Sequence, residues 1–120
     1  MAAQALAQAG VQVDVYDAMP TAGRKFLLAG KGGLNLTHSE PIEAFLDRYG
    51  ARRAALEPLL RAFGPDALRA FAAELGIATF VGTSGRVFPS DLKAAPLLRA
   101  WLHRLRLRGV RFHMRRRWLG

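Results

Sequence analysis

The spacing of apolar positions changes several times along the chain, and each change predicts an element. The opening stretch MAAQALAQAG is rich in Ala, Leu and Gln, which favour helix, and Gly10 stands where a C′ glycine ends one. Val11, Val13 and Val15 then alternate with Gln12, Asp14 and Tyr16, the period of a strand that ends at Asp17. From Pro41 to Gly50, Ile42, Phe45, Leu46 and Tyr49 share a helical face. A second helix over Ala51 to Phe63 turns Leu56, Leu59, Leu60 and Phe63 inward, with Pro58 kinking it or marking its start. GPDALRAFAAELG is a better-marked helix, with Pro65 in the first turn and Gly76 at C′.

Ile77–Val81 and Arg86–Phe88 predict two short strands around a turn at Gly82–Gly85. Ser90 or Asp91 can cap the helix that follows and runs to Arg108, with Ala94, Leu98, Trp101, Leu102 and Leu105 on one stripe. Pro96 is tolerable there because it lies near the first turns. Gly109 ends this helix, and VRFHMRRRW predicts a last strand with Val110, Phe112 and Met114 on one face. The order helix, strand, loop, helices, hairpin, helix, strand predicts an α/β domain with a parallel sheet. No repeat, low-complexity tract or interdomain linker interrupts it. One domain over 1–120 is expected, divided into a helix–strand at 1–17, a glycine-rich segment at 18–40, a helical segment at 41–76, and a hairpin, helix and strand at 77–120.

The glycine-rich stretch TAGRKFLLAGKGGLNLTHSE, Thr21 to Glu40, raises the functional question. It carries four glycines and three basic residues, too much glycine for a stable helix interior and too polar for a buried strand. Glycines let a backbone approach a phosphate closely, so Gly30, Gly32 and Gly33 can serve that use. Arg24 can grip a phosphate with two hydrogen bonds and Lys25 can offer a point charge; equally, the two can be an exposed basic pair. Asn35 and Thr37 can hydrogen-bond a ligand, or Thr37 or Ser39 can simply cap the helix from Pro41. His38 reads as an exposed loop residue rather than a catalytic base.

Composition narrows the chemistry. There is no cysteine, which excludes disulfides, a thiolate nucleophile and a cysteine-based zinc site. His38, His103 and His113 have no metal-ligand spacing. No apolar run is long enough to span a bilayer, and the N-terminus lacks the basic region of a signal peptide, so a cytoplasmic protein without membrane partners is expected. The net charge of +9 is uneven: eight arginines lie between Arg99 and Arg117, and no acid follows Asp91. Such a stretch can bind nucleic acid, or it can be a solvated helix face followed by an exposed strand. SGRVFPS lacks the lysine and spacing of a phosphate loop.

The pieces helix–Gly–strand–Asp match the second half of a dinucleotide-binding βαβ unit, in which an acidic residue at the strand end binds a ribose hydroxyl. Asp17 has that place, though such a residue can also be a turn or cap residue. The glycine fingerprint that opens the helix of a complete unit is absent.

GRKFLLAGKGGLNLTHSEP together with GTSGRVFPSDLKAAPLLRAWLHRLRLRGVRF resembles the BaiN-like flavoproteins, the aminoacetone-oxidase-like or YhiN-type family, over nearly all of the chain. The resemblance implies a partial Rossmann-like FAD-binding domain of a two-dinucleotide-binding-domain flavoprotein, lacking the first strand and glycine motif, as a fragment truncated at both ends. It implies FAD as cofactor and NAD(P)H as a possible electron donor, in an oxidoreductase that passes hydride or electrons between the flavin and a nicotinamide or small organic substrate. The cofactor-binding residues it implies are Asp17, Gly23, Arg24, Lys25, Gly30, Gly32, Gly33, Asn35 and Thr37, with no catalytic acid or base assigned. Arg86 and Pro89 would line the substrate side, or simply belong to a packed hairpin. Much of the family carries Arg-Cys-Asn where this chain has Gly33-Leu34-Asn35, so no role of that cysteine carries over. The alternatives are a nucleic-acid-binding module using Arg99–Arg117, the less favoured partner, and a fragment inactive by itself.

Overall fold

The computed structural model describes every residue from Met1 to Gly120. In chain order the elements are α1 (Ala2–Gln8), β1 (Asp14–Asp17), α2 (Arg24–Ala29), β2 (Thr37–His38), α3 (Ile42–Asp47), a 3₁₀ turn (Gly50–Arg52), α4 (Arg53–Ala62), α5 (Pro65–Glu74), β3 (Thr79–Val81), β4 (Arg86–Pro89), α6 (Ala94–Leu107) and β5 (Arg111–Met114). They gather into two compact units. One joins Met1–Ala29 to Ala95–Gly120, and the other is the intervening Gly30–Ala94. No helix is long and apolar enough to cross a membrane.

In the first unit β1 and β5 pair in parallel, with Asp14 opposite Arg111 and Asp17 opposite Met114. Val13, Leu105 and Val110 are its buried centre, and Ala3, Ala7, Val15, Trp101 and Phe112 pack against them. The predicted strand from Val11 is shorter than its alternation suggests. Val11 is half exposed, and pairing begins only where the Val13 carbonyl accepts the Arg111 N–H at 3.0 Å. The last strand stops at Met114, because Arg115 adopts a left-handed backbone (φ 58°) that turns the chain away.

The second unit is built on an antiparallel sheet in the order β2-β4-β3. The predicted hairpin is present, with Phe80 opposite Phe88 and Val81 opposite Val87. Leu34, Leu46, Phe71, Ala72 and Val87 form the buried interior. On its surface Arg53 bonds Glu43, Asp47 and Glu57, and Arg61 bonds Glu43 and Glu57, tying α3 to α4.

Three junctions repeat one local design. Helices α1, α5 and α6 each run into a glycine of positive φ, Gly10, Gly76 and Gly109. Each time the glycine N–H bonds the carbonyl three residues back and the next N–H bonds the carbonyl five back, as in Ile77 to Ala72 at 2.9 Å. This Schellman arrangement satisfies the last carbonyls of the helix and launches the following extended segment.

Several local expectations are corrected. The glycine-rich segment contains a helix, because Arg24-Lys25-Phe26-Leu27-Leu28-Ala29 is a glycine-free run of good helix formers. Thr37 is in a strand opposite Val87, and Ser39 donates to the Gly85 carbonyl, so neither caps α3; Pro41 occupies the N-cap position. Pro58 lies inside α4 and does not start it. Leu59 faces outward, being 65% exposed, while Phe63 is 40% exposed with its ring edge-on to the buried Phe71. Asp91 accepts the Lys93 N–H in a turn ahead of α6, two residues before a capping position.

His38 is a half-buried strand residue whose nitrogens are both engaged: Nδ1 accepts the Glu40 N–H at 3.1 Å, which leaves Nε2 to donate to the Ser84 carbonyl at 3.0 Å. Gly85 (φ 78°) lies against this ring, so that a Cβ there would fall 2.5 Å from His38 Cε1. A Cβ at Gly76 would meet nothing within 4 Å. Gly76→Ala is therefore expected to cost only the backbone term, about 1–2 kcal/mol. Gly85→Ala should cost distinctly more in urea unfolding, and His38→Ala should remove the excess. Equal losses for the two glycines would refute the clamp between His38 and the hairpin turn.

Candidate functional site

Because β1 and β5 run in the same direction and in register, their carboxyl ends lie at one edge of the sheet. The residues after each strand emerge there together. Arg115 N–H bonds the Met19 carbonyl at 3.1 Å, and Arg116 N–H bonds the Asp17 carbonyl at 2.9 Å. The Asp17 carboxylate accepts the Met19 N–H through Oδ1 at 2.8 Å, a turn contact that fixes the side chain at the strand end and leaves Oδ2 without a donor from the chain. Beside it is a cavity of about 370 Å³ lined by Tyr16, Asp17, Ala18, Arg116, Arg117 and Trp118. Its two aromatic walls are open, Tyr16 being 65% and Trp118 88% exposed.

The face of the sheet away from the apolar centre is polar. Asp14 takes two hydrogen bonds from Arg111, Nε to Oδ1 at 2.8 Å and Nη2 to Oδ2 at 2.6 Å. His113 Nε2 lies 2.7 Å from Asp14 Oδ1, and its ring stacks on Tyr16 with centroids 4.6 Å apart. The Arg111 hydrogen bonds, then that of His113, hold the Asp14 carboxyl down at about 2. Neither Asp14 nor its partners were legible as a group, since only the register of two distant strands assembles them.

The other residues singled out in the sequence have mixed settings. Gly23 (φ 77°) precedes α2, and a Cβ there would press on the Leu98 side chain at 2.7 Å. Gly30 is closed by Ala94, whose Cβ lies 2.5 Å from where its own would be. Both glycines thus have packing reasons. At Gly32 and Gly33 (φ 114°) a Cβ would meet nothing within 4 Å, so packing does not require either glycine; Gly32 is exposed, whereas the Gly33 N–H already bonds the Gly30 carbonyl at 3.2 Å. Arg24 and Lys25 are exposed in the first turn of α2, where no acid accompanies them. Asn35 is exposed, and Thr37 is half-buried in β2. Arg86 is exposed beside His38 in register, whereas Pro89 is fully buried and lines no open surface.

A larger cavity of about 520 Å³ lies in the second unit near His38, Glu40, Arg61 and the start of α5. Two of its charged residues are already paired, Glu40 with Arg48 and Arg61 with Glu43 and Glu57, while Asp66 also lines it. The cavity at Asp17 combines a carboxylate oxygen without a donor from the chain with bare aromatic surface.

A parallel strand pair entered from a helix–glycine junction, with an acid at its carboxyl edge, is the arrangement found in the second half of a Rossmann-type unit. A family model described as "HI0933-like protein Rossmann domain" matches residues 1–120. The chain belongs to that family, the BaiN-like, YhiN-type FAD-dependent flavoproteins. Among individually curated proteins none matches the sequence. Each unit taken by itself has groups that suit FAD: in the first, an Asp17 carboxylate oxygen without a donor from the chain and exposed cations at Arg24 and Lys25; in the second, open backbone at Gly32.

The Asp14 cluster makes a prediction of defined sign. A carboxyl held below its ordinary value of 3.8 stabilises the fold above that pH, and this contribution is lost as pH falls through about 2. Arg111→Gln should raise the Asp14 pKa, read by NMR titration, and Asp14→Asn should flatten the fall in stability across that window. An unmoved Asp14 titration in Arg111→Gln would sink the assignment.

Proposed function

We propose that this chain supplies FAD-binding residues to an oxidoreductase that passes hydride or electrons between the flavin and a reduced nicotinamide or a small organic substrate. The observation that carries the reading is Asp17, fixed at the carboxyl edge of a parallel pair with one oxygen free. Asp17 binds the ribose of the adenosine half. Arg24 and Lys25 neutralise phosphate charge, Arg24 by a two-point grip. Gly32 and Gly33 admit a ligand to their backbone, and Asn35 and Thr37 offer hydrogen bonds to it. Gly23 and Gly30 contribute by shaping the segment around Leu98 and Ala94.

When bound, FAD supplies the redox chemistry; the residues of this chain hold and orient it. A cytoplasmic setting, with its reduced nicotinamide pool, goes with this reading.

A second reading, nucleic-acid binding by Arg99–Arg117, draws on charge. The first unit holds ten Lys and Arg against two carboxylates. Its arginines are not one free stripe, however: Arg111 is spent on Asp14, Arg106 lies over the Phe112 ring at 5.2 Å, and Arg116 and Arg117 line the cavity at Asp17. The FAD reading uses these placements better.

Titrating the chain with FAD while following the flavin visible band tests it. Asp17→Asn is expected to weaken binding about tenfold, the scale of one charge-assisted contact. Gly32→Val, at a position with room for a side chain, should keep the fold and weaken FAD. Undiminished binding by both variants, or no binding by the parent chain together with RNA affinity that falls steeply with salt, would reject the proposal.

A further inference from the structure

We propose that strand β3 is a self-pairing edge: two copies of this chain join antiparallel through Thr79–Val81 about a two-fold axis at Phe80, making one continuous sheet from two. The inference concerns the second unit alone and is independent of the FAD reading.

The first observation is the direction of the backbone groups. In the order β2-β4-β3, strand β3 has a neighbour on one side only. On either side of the Phe80–Phe88 pair, Gly82 N–H donates to the Arg86 carbonyl at 2.8 Å and Ser90 N–H to the Ala78 carbonyl at 2.9 Å. Antiparallel pairs alternate between hydrogen-bonded and non-hydrogen-bonded, so Ala78, Phe80 and Gly82 aim their backbone groups at β4, and Thr79 and Val81 aim theirs away from it. Pro89, which has no N–H, stands opposite Thr79, where the ladder with β3 needs none. The outward N–H and C=O groups of Thr79 and Val81 meet no other backbone group.

The second is the fit of this edge to itself. With Phe80 opposite the partner's Phe80, Thr79 of each copy meets Val81 of the other. Each such pair exchanges both of its hydrogen bonds, which satisfies every outward group of the strand. The far edge of the sheet offers no such template, because β2 is only two residues long.

The third is surface and charge. Phe80 and Val81 are 42% and 45% exposed, and the Phe80 ring lies 5.8 Å from that of Phe88. No charged residue and no proline lies between Leu75 and Gly85, so the edge lacks the devices that keep a strand from pairing with its own copy. Charge also selects the occupant. The excess of +9 makes copies repel one another through the first unit, which holds nearly all of it. The second unit has eight basic residues against seven acidic ones, and β3 is its uncharged edge. Two copies therefore meet there with least repulsion.

Pairing through three residues per copy makes a small interface, so the dimer is expected to dissociate on dilution. Sedimentation velocity of the 120-residue chain over about a hundredfold range of concentration should show monomer giving way to dimer. Val81→Pro removes an outward N–H, a change that edge strands tolerate, and should give monomer throughout. The chain has no cysteine, so a single introduced one reports the register. A non-hydrogen-bonded antiparallel pair holds its Cα atoms about 4.5 Å apart, within disulfide reach, so Phe80→Cys should link to its own copy under mild oxidation. Val81→Cys, which faces the partner's Thr79, should not. Phe80→Lys and Phe80→Glu should each abolish the dimer, and mixing the two should restore it at low salt, a result that misfolded variants cannot give.

A chain that is monomeric at every concentration overturns the proposal. So does a dimer that survives Val81→Pro, or one in which Val81→Cys links as readily as Phe80→Cys, since either puts the contact elsewhere. An added extended peptide that pairs with β3 while the chain alone stays monomeric would give the edge to a different partner and overturn self-pairing too.

Discussion

The parallel pairing of β1 with β5 is the constraint on which the rest depends. The Asp14–Arg111 contact that seals it joins residues 97 positions apart. It fits one register, and the register decides which residues follow the two strands at the same edge. Slip the pairing by one residue and every side chain changes face, taking Val13 and Val15 out of the apolar centre and dispersing Asp14, Tyr16 and His113. The bidentate geometry of arginine on a carboxylate adds direction to an alignment that the buried face already specifies. The site at Asp17 is thus a consequence of strand alignment as much as of the residues that line it.

Charge follows the division into units. The second unit balances eight basic residues with seven acidic ones, and it uses many of them in the lattice between α3 and α4. The first unit carries nearly all of the excess. A field of one sign over one unit raises the local concentration of anionic ligands and speeds their arrival, an effect that salt weakens. A dinucleotide with a pyrophosphate is such a ligand.

What could be read in the sequence was whatever is encoded locally. Gly10, Gly76 and Gly109 marked helix ends correctly, because a left-handed C′ residue is required there whatever the tertiary context. The hairpin was visible for the same reason. Helix α2 was hidden by averaging: glycines on either side of six good helix formers made the whole stretch look like loop. Two-residue β2 was beyond any periodicity, since it exists by virtue of pairing with β4. Leu59 looked inward by helical spacing, yet α4 only half-buries Leu56 and Leu60 and leaves Leu59 exposed. Asp17 was legible as a strand-end acid, whereas Arg116, Arg117 and Trp118 were not legible as its neighbours, because strand order and direction are tertiary facts.

The first unit is interrupted in sequence, and this has a consequence for its making. During synthesis at roughly 5–20 residues per second, β1 leaves the ribosome on the order of 5–20 seconds before β5 can reach it. The second unit, contiguous from Gly30 to Ala94, is complete in sequence well before then. Vectorial growth therefore imposes an order in which the inserted unit can mature while the older segment waits without its β5 partner, vulnerable to proteases and to other nascent chains. Pulse proteolysis of ribosome-stalled chains of increasing length would read that interval directly.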